Sequence, residues 1–274
     1  PPPTAMKSLV DAISLQMSIY DNPDLLANFL DTHDMERIQR RCSHDDLRLR
    51  NSLALIFTVR GIPVVYYGTE QAYAHEDNRA SLWSTRYSTV QPLYLFIARL
   101  NRARHEAVFT RWPSSDVRII SLTEDQLVFA RGFESDANAN AERRRAKAGG
   151  GTFPLLDFGS VVVFLNNRAS NDAAYWKSQS TTYCTDATDN SRILPQPPPG
   201  FVWADALSGW VADRNCGRCL QVPNAFPKVM RLLSLANATA AAGAMDSEDY
   251  RAWLARDRGD TSIVPIEDKD GKRS

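Results

Sequence analysis

The sequence predicts an α/β unit followed by an all-β unit. Up to residue 105, stretches with helical periodicity alternate with short, continuous apolar runs. That alternation is the mark of parallel strands covered on both faces by helices. From Val117 onward, apolar residues fall in strand-length runs divided by turn formers. The polar residues 134–152, with Arg143-Arg144-Arg145 and Gly149-Gly150-Gly151, read as a flexible insertion in the second unit.

Each element follows from local pattern. Pro1-Pro2-Pro3 is a stiff extended lead-in. Residues 4–20 read as an amphipathic helix, with Thr4 as N-cap and Leu9, Ile13, Met17 and Tyr20 on one face. Asn22-Pro23 ends it. Residues 25–30 form a buried strand that stops at Asp31-Thr32-His33-Asp34. Residues 45–60 form the second helix, Asp45 capping its start and Gly61 standing at the C′ position that favours glycine. Residues 62–67 are a second buried strand, closed by Gly68, and residues 91–105 a third helix. In the second unit, strands are expected at 117–122, 126–131, 161–165, 201–207, 220–222 and 228–233. Residues 170–200 read as turns, and 247–256 as a short helix in an Ala-rich, charged tail. The domain reading is 1–112, 113–235 and a tail at 236–274.

Composition narrows the function. The 274 residues hold 32 Lys+Arg and 32 Asp+Glu, a formal net charge of zero. A nucleic-acid binder working through a basic surface is excluded. The 43% of hydrophobic residues supply a core, which excludes wholesale disorder. No run of about 18 apolar residues occurs, so no membrane span is predicted. Of the four cysteines, Cys42, Cys184, Cys216 and Cys219, the last two form a C-x-x-C with no second pair. Structural disulfide or free thiols is the reading, ahead of zinc or redox work.

Three groups of residues could do chemistry. Phe29-Leu30-Asp31-Thr32-His33-Asp34 places a carboxylate beside a histidine at the end of a buried strand, where α/β enzymes hold working groups. The second strand ends in Gly68-Thr69-Glu70-Gln71, which brings polar groups to the same rim. Asp77-Asn78-Arg79, with Trp83 after it, offers a planar guanidinium beside a carboxylate for bidentate recognition of polar ligands. No phosphate-loop, dinucleotide or G-x-S-x-G motif is present.

In this order the three groups resemble the α-amylase family of glycoside hydrolases. Residues 29–34 are similar to its F-x-x-N-H-D block at barrel strand seven, with Thr32 in place of asparagine. Residues 61–71 look like its G-I-P-x-x-Y-x-G-x-E-Q block at strand eight, and Asn78-Arg79 with Trp83 continues the match. The fold this resemblance implies is α/β: an incomplete (β/α)8 TIM barrel, its last two strands and their helices, followed by an all-β sandwich domain. It implies that Asp34 is the family's third essential carboxylate, a catalytic stabiliser of the oxocarbenium-like transition state. His33, Arg79 and Asp77 match its substrate-binding positions. The implied partner is an α-glucan such as starch, glycogen or a maltooligosaccharide, and the implied reaction is retaining hydrolysis of α-1,4-glucosidic bonds. Calcium is expected for the full-length family member, with no ligands named in this chain, and secretion is expected from the family.

Retaining hydrolysis needs a nucleophile and an acid/base about 5–5.5 Å apart. The family's G-x-R-x-D and D-x-x-x-N-H blocks do not occur in these 274 residues, nor does the acid/base glutamate block. A complete barrel takes about 250 residues. The chain is therefore expected to be a fragment, marginally stable or associating in its first unit because two strands leave open edges. The alternative is a catalytically inactive glucan-binding or scaffold pseudoenzyme. A related isomaltase-type, transglycosylating or branching enzyme is the third reading.

Overall fold

The computed structural model describes residues 6–77, 79–106, 117–132, 161–168, 180–184, 201–207, 219–223 and 227–234. In the first unit, α1 (Met6–Ile19) leads to strand β1 (Ala27–Phe29), the one-turn α2 (Ile38–Arg41), α3 (Asp46–Thr58), strand β2 (Ile62–Val64) and α4 (Pro92–Glu106). β1 and β2 pair in parallel, Ala27 opposite Ile62 and Phe29 opposite Val64. Helix and strand alternate as the sequence predicts, but both strands are shorter than their apolar runs. Residues Pro23–Leu25 wind into a 3-10 turn capped by Asn22 instead of extending. α1 buries Met6 and packs Leu9, Val10 and Ile13 on the core. Its last turn departs from expectation, with Ile19 62% and Tyr20 49% exposed.

The second unit follows. β3 (Arg118–Leu122), β4 (Gln126–Arg131), β5 (Val161–Asn166), β6 (Ser180–Cys184), β7 (Phe201–Asp205), β8 (Cys219–Pro223) and β9 (Lys228–Ser234) divide between two sheets. One is five-stranded in the order β3-β4-β5-β9-β7, with every pair antiparallel. The other is the ribbon β6-β8. β6 lies in a stretch read from sequence as turns. The insertion at 134–152, the helix at 247–256, Thr4, Asn78 and Cys216 lie outside the described residues.

Alternation along β4 and β5 separates two cores. Leu127, Phe129, Val161 and Val163 join Leu49, Leu53, Phe57, Leu93 and Leu100 of α3 and α4. Val128, Ala130, Val162 and Phe164 face the other way, with Trp203 and Met230. Both faces are dry, which is why these strands read as continuous hydrophobic runs. The main sheet thus packs one face on helices of the first unit, a contact that the expected sandwich did not include. A polar seam accompanies it: Asn166 N donates to Asn51 Oδ1 at 2.8 Å, and Met6 N to Glu124 O at 3.1 Å.

The C-terminal end of α3 is the most tightly held point of this seam. The last carbonyls of a helix lack intrahelical partners. Here Arg131 of β4, 1% exposed, donates Nη1 to Thr58 O and Val59 O at 3.1 and 3.2 Å. Arg104 of α4 donates to Phe57 O at 2.7 Å and to Gly61 O at 2.6 Å. Both cations stand at the negative end of the helix dipole. Burial lowers the Arg104 pKa from its ordinary value.

Asp45 caps the other end of α3 as predicted, accepting from Arg48 N at 3.1 Å. Gly61 has a different role from the one expected. The C-cap is Val59, in extended conformation. Gly61 has φ +110°, and a Cβ there would stand 2.6 Å from both Leu26 O and Asn28 Nδ2. Glycine lets the chain pass against β1 before Ile62 N donates to Leu26 O at 2.8 Å.

The expectation that β1 and β2 are buried on both faces fails. Phe29, Ile62 and Val64 are 47%, 49% and 44% exposed, because no further strand or layer covers that side among the described residues. No helix among the described residues is long and apolar enough to cross a membrane.

Two outcomes follow for the fold. Arg131→Ala leaves buried carbonyls without donors and lowers the unfolding free energy by about 2–3 kcal/mol in urea titration. The native chain binds a hydrophobic fluorophore such as anilinonaphthalene sulfonate, and the Phe29→Ser/Val64→Thr variant binds markedly less of it.

Candidate functional site

Both parallel strands release their chains on the same rim of the first unit. The loop after β1 carries His33 and Asp34, and the longer loop after β2 carries Asp77 and Arg79. The two loops meet at Asp34. Arg79 Nη2 donates to Asp34 Oδ1 at 3.2 Å, and His33 Nε2 lies 3.1 Å from Asp34 Oδ2. All three side chains open to solvent, Asp34 at 71%, Arg79 at 60% and His33 at 57% exposed. An exposed pair of this kind contributes little to folding. Its carboxylate oxygens and guanidinium hydrogens instead face outward, where they can meet the hydroxyls of a polar ligand.

Local turns set this geometry. Thr32 stands where the resembling block has asparagine, and its Oγ1 accepts from Asp34 N at 3.2 Å. The hydroxyl folds the backbone tightly around His33. Asp77 makes the corresponding turn on the second loop. Its Oδ1 accepts from Arg79 N at 2.9 Å, while its own N donates to His75 Nδ1 at 3.2 Å. Asp77 therefore shapes the turn that delivers Arg79 to Asp34. Glu70 and Gln71 reach the rim region as turn-closing groups. Glu70 Oε2 accepts from Gly68 N at 2.8 Å, and Gln71 Nε2 donates to Ser88 O at 2.9 Å.

Beneath the exposed cluster lies a buried one that sequence reading passed over. The Arg37 side chain has no exposed surface, and Asp31 is 3% exposed. Arg37 Nη1 donates to Tyr67 O at 2.7 Å. Its guanidinium carbon lies 4.2, 4.9 and 5.1 Å from the ring centroids of Tyr66, Tyr67 and Tyr73. Asp31 sits 4.0 Å from Arg37 Nη1, accepts from Ile38 N at 3.0 Å, and accepts from Thr69 Oγ1 at 3.3 Å. These contacts join the loop after β1 to the loop after β2. The tyrosines extend the tie: Tyr67 OH donates to Ala80 O at 3.0 Å and Tyr73 OH to Ser81 O at 3.3 Å, the two residues that follow Arg79. The available sequence signal was the tyrosine pair at the end of an apolar run. An arginine three residues past Asp34 gives no sign of burial by itself.

No group of three or more His, Cys, Asp or Glu is placed to hold a metal ion among the described residues.

Residues 3–118 match the family model for the α-amylase catalytic domain. An α-amylase of Saccharomycopsis fibuligera is 32% identical over 134 residues, 47% of this chain and 27% of that protein. α-Amylase 2 of Schwanniomyces occidentalis is 36% identical over 173 residues, 62% of this chain and 29% of that protein. The solved structure of an α-amylase from Malbranchea cinnamomea aligns with a TM-score of 0.60 at 25% identity, covering 88% of this chain and 43% of that one. The chain spans less than a third of the length of these two curated relatives. The strand-end cluster lies within the matched segment, and in residues 3–118 the chain is similar to the catalytic domain of α-amylases.

Proposed function

We propose that this chain supplies the sugar-holding side of an α-amylase-type active site, which hydrolyses α-1,4-glucosidic bonds of starch or glycogen with retention. The observation that supports it best is the convergence of Asp34, His33 and Arg79 from two separate strand-end loops. In this reading the Asp34 carboxylate accepts hydrogen bonds from sugar hydroxyls next to the scissile bond. Its negative charge then favours the oxocarbenium-like transition state more than the neutral ground state, which is the condition for lowering the barrier. Arg79 donates to a hydroxyl further along the glucan and orients Asp34. His33 donates from its ring to the sugar beside Asp34. Asp77 acts through the turn that places Arg79.

Two more carboxylates are needed, a nucleophile and an acid/base. In the proposal they belong to parts of the catalytic domain that these 274 residues do not contain, and the chain is a fragment of the longer enzyme. A second reading is a glucan-binding scaffold without catalysis, and it is favoured by the absence of a G-x-R-x-D block from the sequence.

The test combines turnover and binding. The chain alone is expected not to release p-nitrophenol from a blocked p-nitrophenyl maltooligosaccharide. It is expected to bind maltoheptaose in calorimetry, with Asp34→Ala and Arg79→Ala each weakening binding about tenfold or more, as loss of a charged hydrogen bond does. Turnover that disappears in Asp34→Asn would place the missing carboxylates inside the chain. No binding by the folded chain would sink the sugar-holding role. A complementary catalytic-domain segment that restores turnover on mixing would separate the fragment from the scaffold. Asp34→Asn is expected to shift the unfolding free energy by less than about 0.5 kcal/mol, since the side chain is exposed.

A further inference from the structure

Arg79 is exposed, and so is the carboxylate it meets. A pair of this kind gives little energy of its own to hold a long side chain in place. The backbone around Arg79 is held instead, and from both sides. Before it, Asp77 Oδ1 accepts from Arg79 N at 2.9 Å. After it, the carbonyls of Ala80 and Ser81 accept from the hydroxyls of Tyr67 and Tyr73. From this bracket we propose that Tyr67 and Tyr73 are positioning residues, whose hydroxyls hold the segment after Arg79 so that its guanidinium meets Asp34.

Both rings are themselves fixed. The chain turns back after Gly68, with Gly68 at φ +90° and Ala72 at φ +56°. Tyr73 N donates to Gly68 O at 2.9 Å. A Cβ on Gly68 would stand 3.0 Å from Tyr73 Cβ, so glycine permits the close approach that brings Tyr73 beside Tyr67. The Arg37 guanidinium packs on both rings, and its Nη1 also fixes the Tyr67 carbonyl. That side chain has no exposed surface, so solvent does not compete for the anchor.

The contacts form a circuit. Arg37 stands three residues after Asp34, on the loop after β1. It holds Tyr67 on the loop after β2, and Tyr67 holds Ala80. Arg79, next to Ala80, reaches back to Asp34. The first two links are part-buried and the last is exposed. The last is therefore the link that a ligand can replace. The tyrosines order the base of a long side chain before any ligand arrives, which lowers the ordering cost of binding. The Tyr67 bond is shorter and less exposed than that of Tyr73, so Tyr67 carries the larger share. The consequence for glucan binding rests on the sugar-holding reading of Asp34 and Arg79. The placement of Arg79 does not.

The test has two arms on the full chain. It uses Tyr67→Phe, Tyr73→Phe and the double variant, which keep the rings against Arg37 and lose only the hydroxyls. The first arm needs no glucan. Trypsin cuts the Arg79–Ala80 bond when this segment opens, and mass spectrometry follows the product that starts at Ala80. Tyr67→Phe is expected to raise that rate about fivefold, the effect of one lost hydrogen bond, and Tyr73→Phe by less. Cleavage after Arg118 of β3 is expected to stay unchanged.

The second arm is a double-mutant cycle read by calorimetry with maltoheptaose. Tyr67→Phe is expected to weaken binding about fivefold in the native chain, and by less than about twofold in Arg79→Ala, since its effect passes through Arg79. A general loss of stability would weaken both backgrounds alike. Unchanged cleavage at Arg79–Ala80 in the double variant, or equal losses of binding in both backgrounds, would overturn the proposal. If the native chain binds no maltoheptaose, the sugar-holding reading falls, and the cleavage rates alone decide whether the tyrosines hold Arg79.

Discussion

The hold of two arginines on the carbonyl end of α3 fixes more of this structure than any other contact. Arg131 comes from the β unit and Arg104 from the last helix of the α/β unit, and both reach the same turn. A buried carbonyl without a donor is costly, so the three elements have one mutual arrangement that satisfies it. That arrangement sets where the chain leaves α3 and where Gly61 passes β1. It thereby sets the register of β2, the strand whose loop bears Arg79. The main sheet, although it lies far along the sequence, is part of the frame behind the rim.

Two arginine–aspartate pairs at this rim show how solvent divides labour. Arg37 and Asp31 are sealed among tyrosine rings and loop backbone, where removing either leaves an uncompensated charge. Arg79 and Asp34 have the same chemistry in water, where the pair is weak and its groups can exchange partners. The buried pair gives the loops their shape. The exposed pair can let go of itself when a ligand offers better bonds, so the site keeps its form while its surface groups remain available.

Legibility in the sequence followed the distance over which each feature is determined. Helices α1, α3 and α4 were readable because their periodicity and caps are local, as with Asp45. Strands β4, β5 and β9 were readable because both of their faces are buried. β6, with the polar run Ser180-Thr181-Thr182, had no apolar signal and was read as turn. Gly61 was assigned to a helix cap because nothing local reveals that β1 approaches it. Asp34, His33 and Arg79 could be named from their blocks, and Asp34 meets Arg79 across a gap of 45 positions in the chain. Arg37 could not, since its burial depends on three tyrosines from another loop.

The hairpin formed by β4 and β5 has a consequence for how this chain can vary. Arg131 and Val161 are register partners, yet residues 132–160 separate them. In the closure of such a loop, each doubling of length adds only about 0.6 kcal/mol of entropy cost. The ladder that receives the connection is buried on both sides, so its pairing is set by the cores and not by the turn. Length and composition between these two strands are thus nearly uncoupled from the fold. Relatives can differ widely there while the strands that brace α3 stay in register.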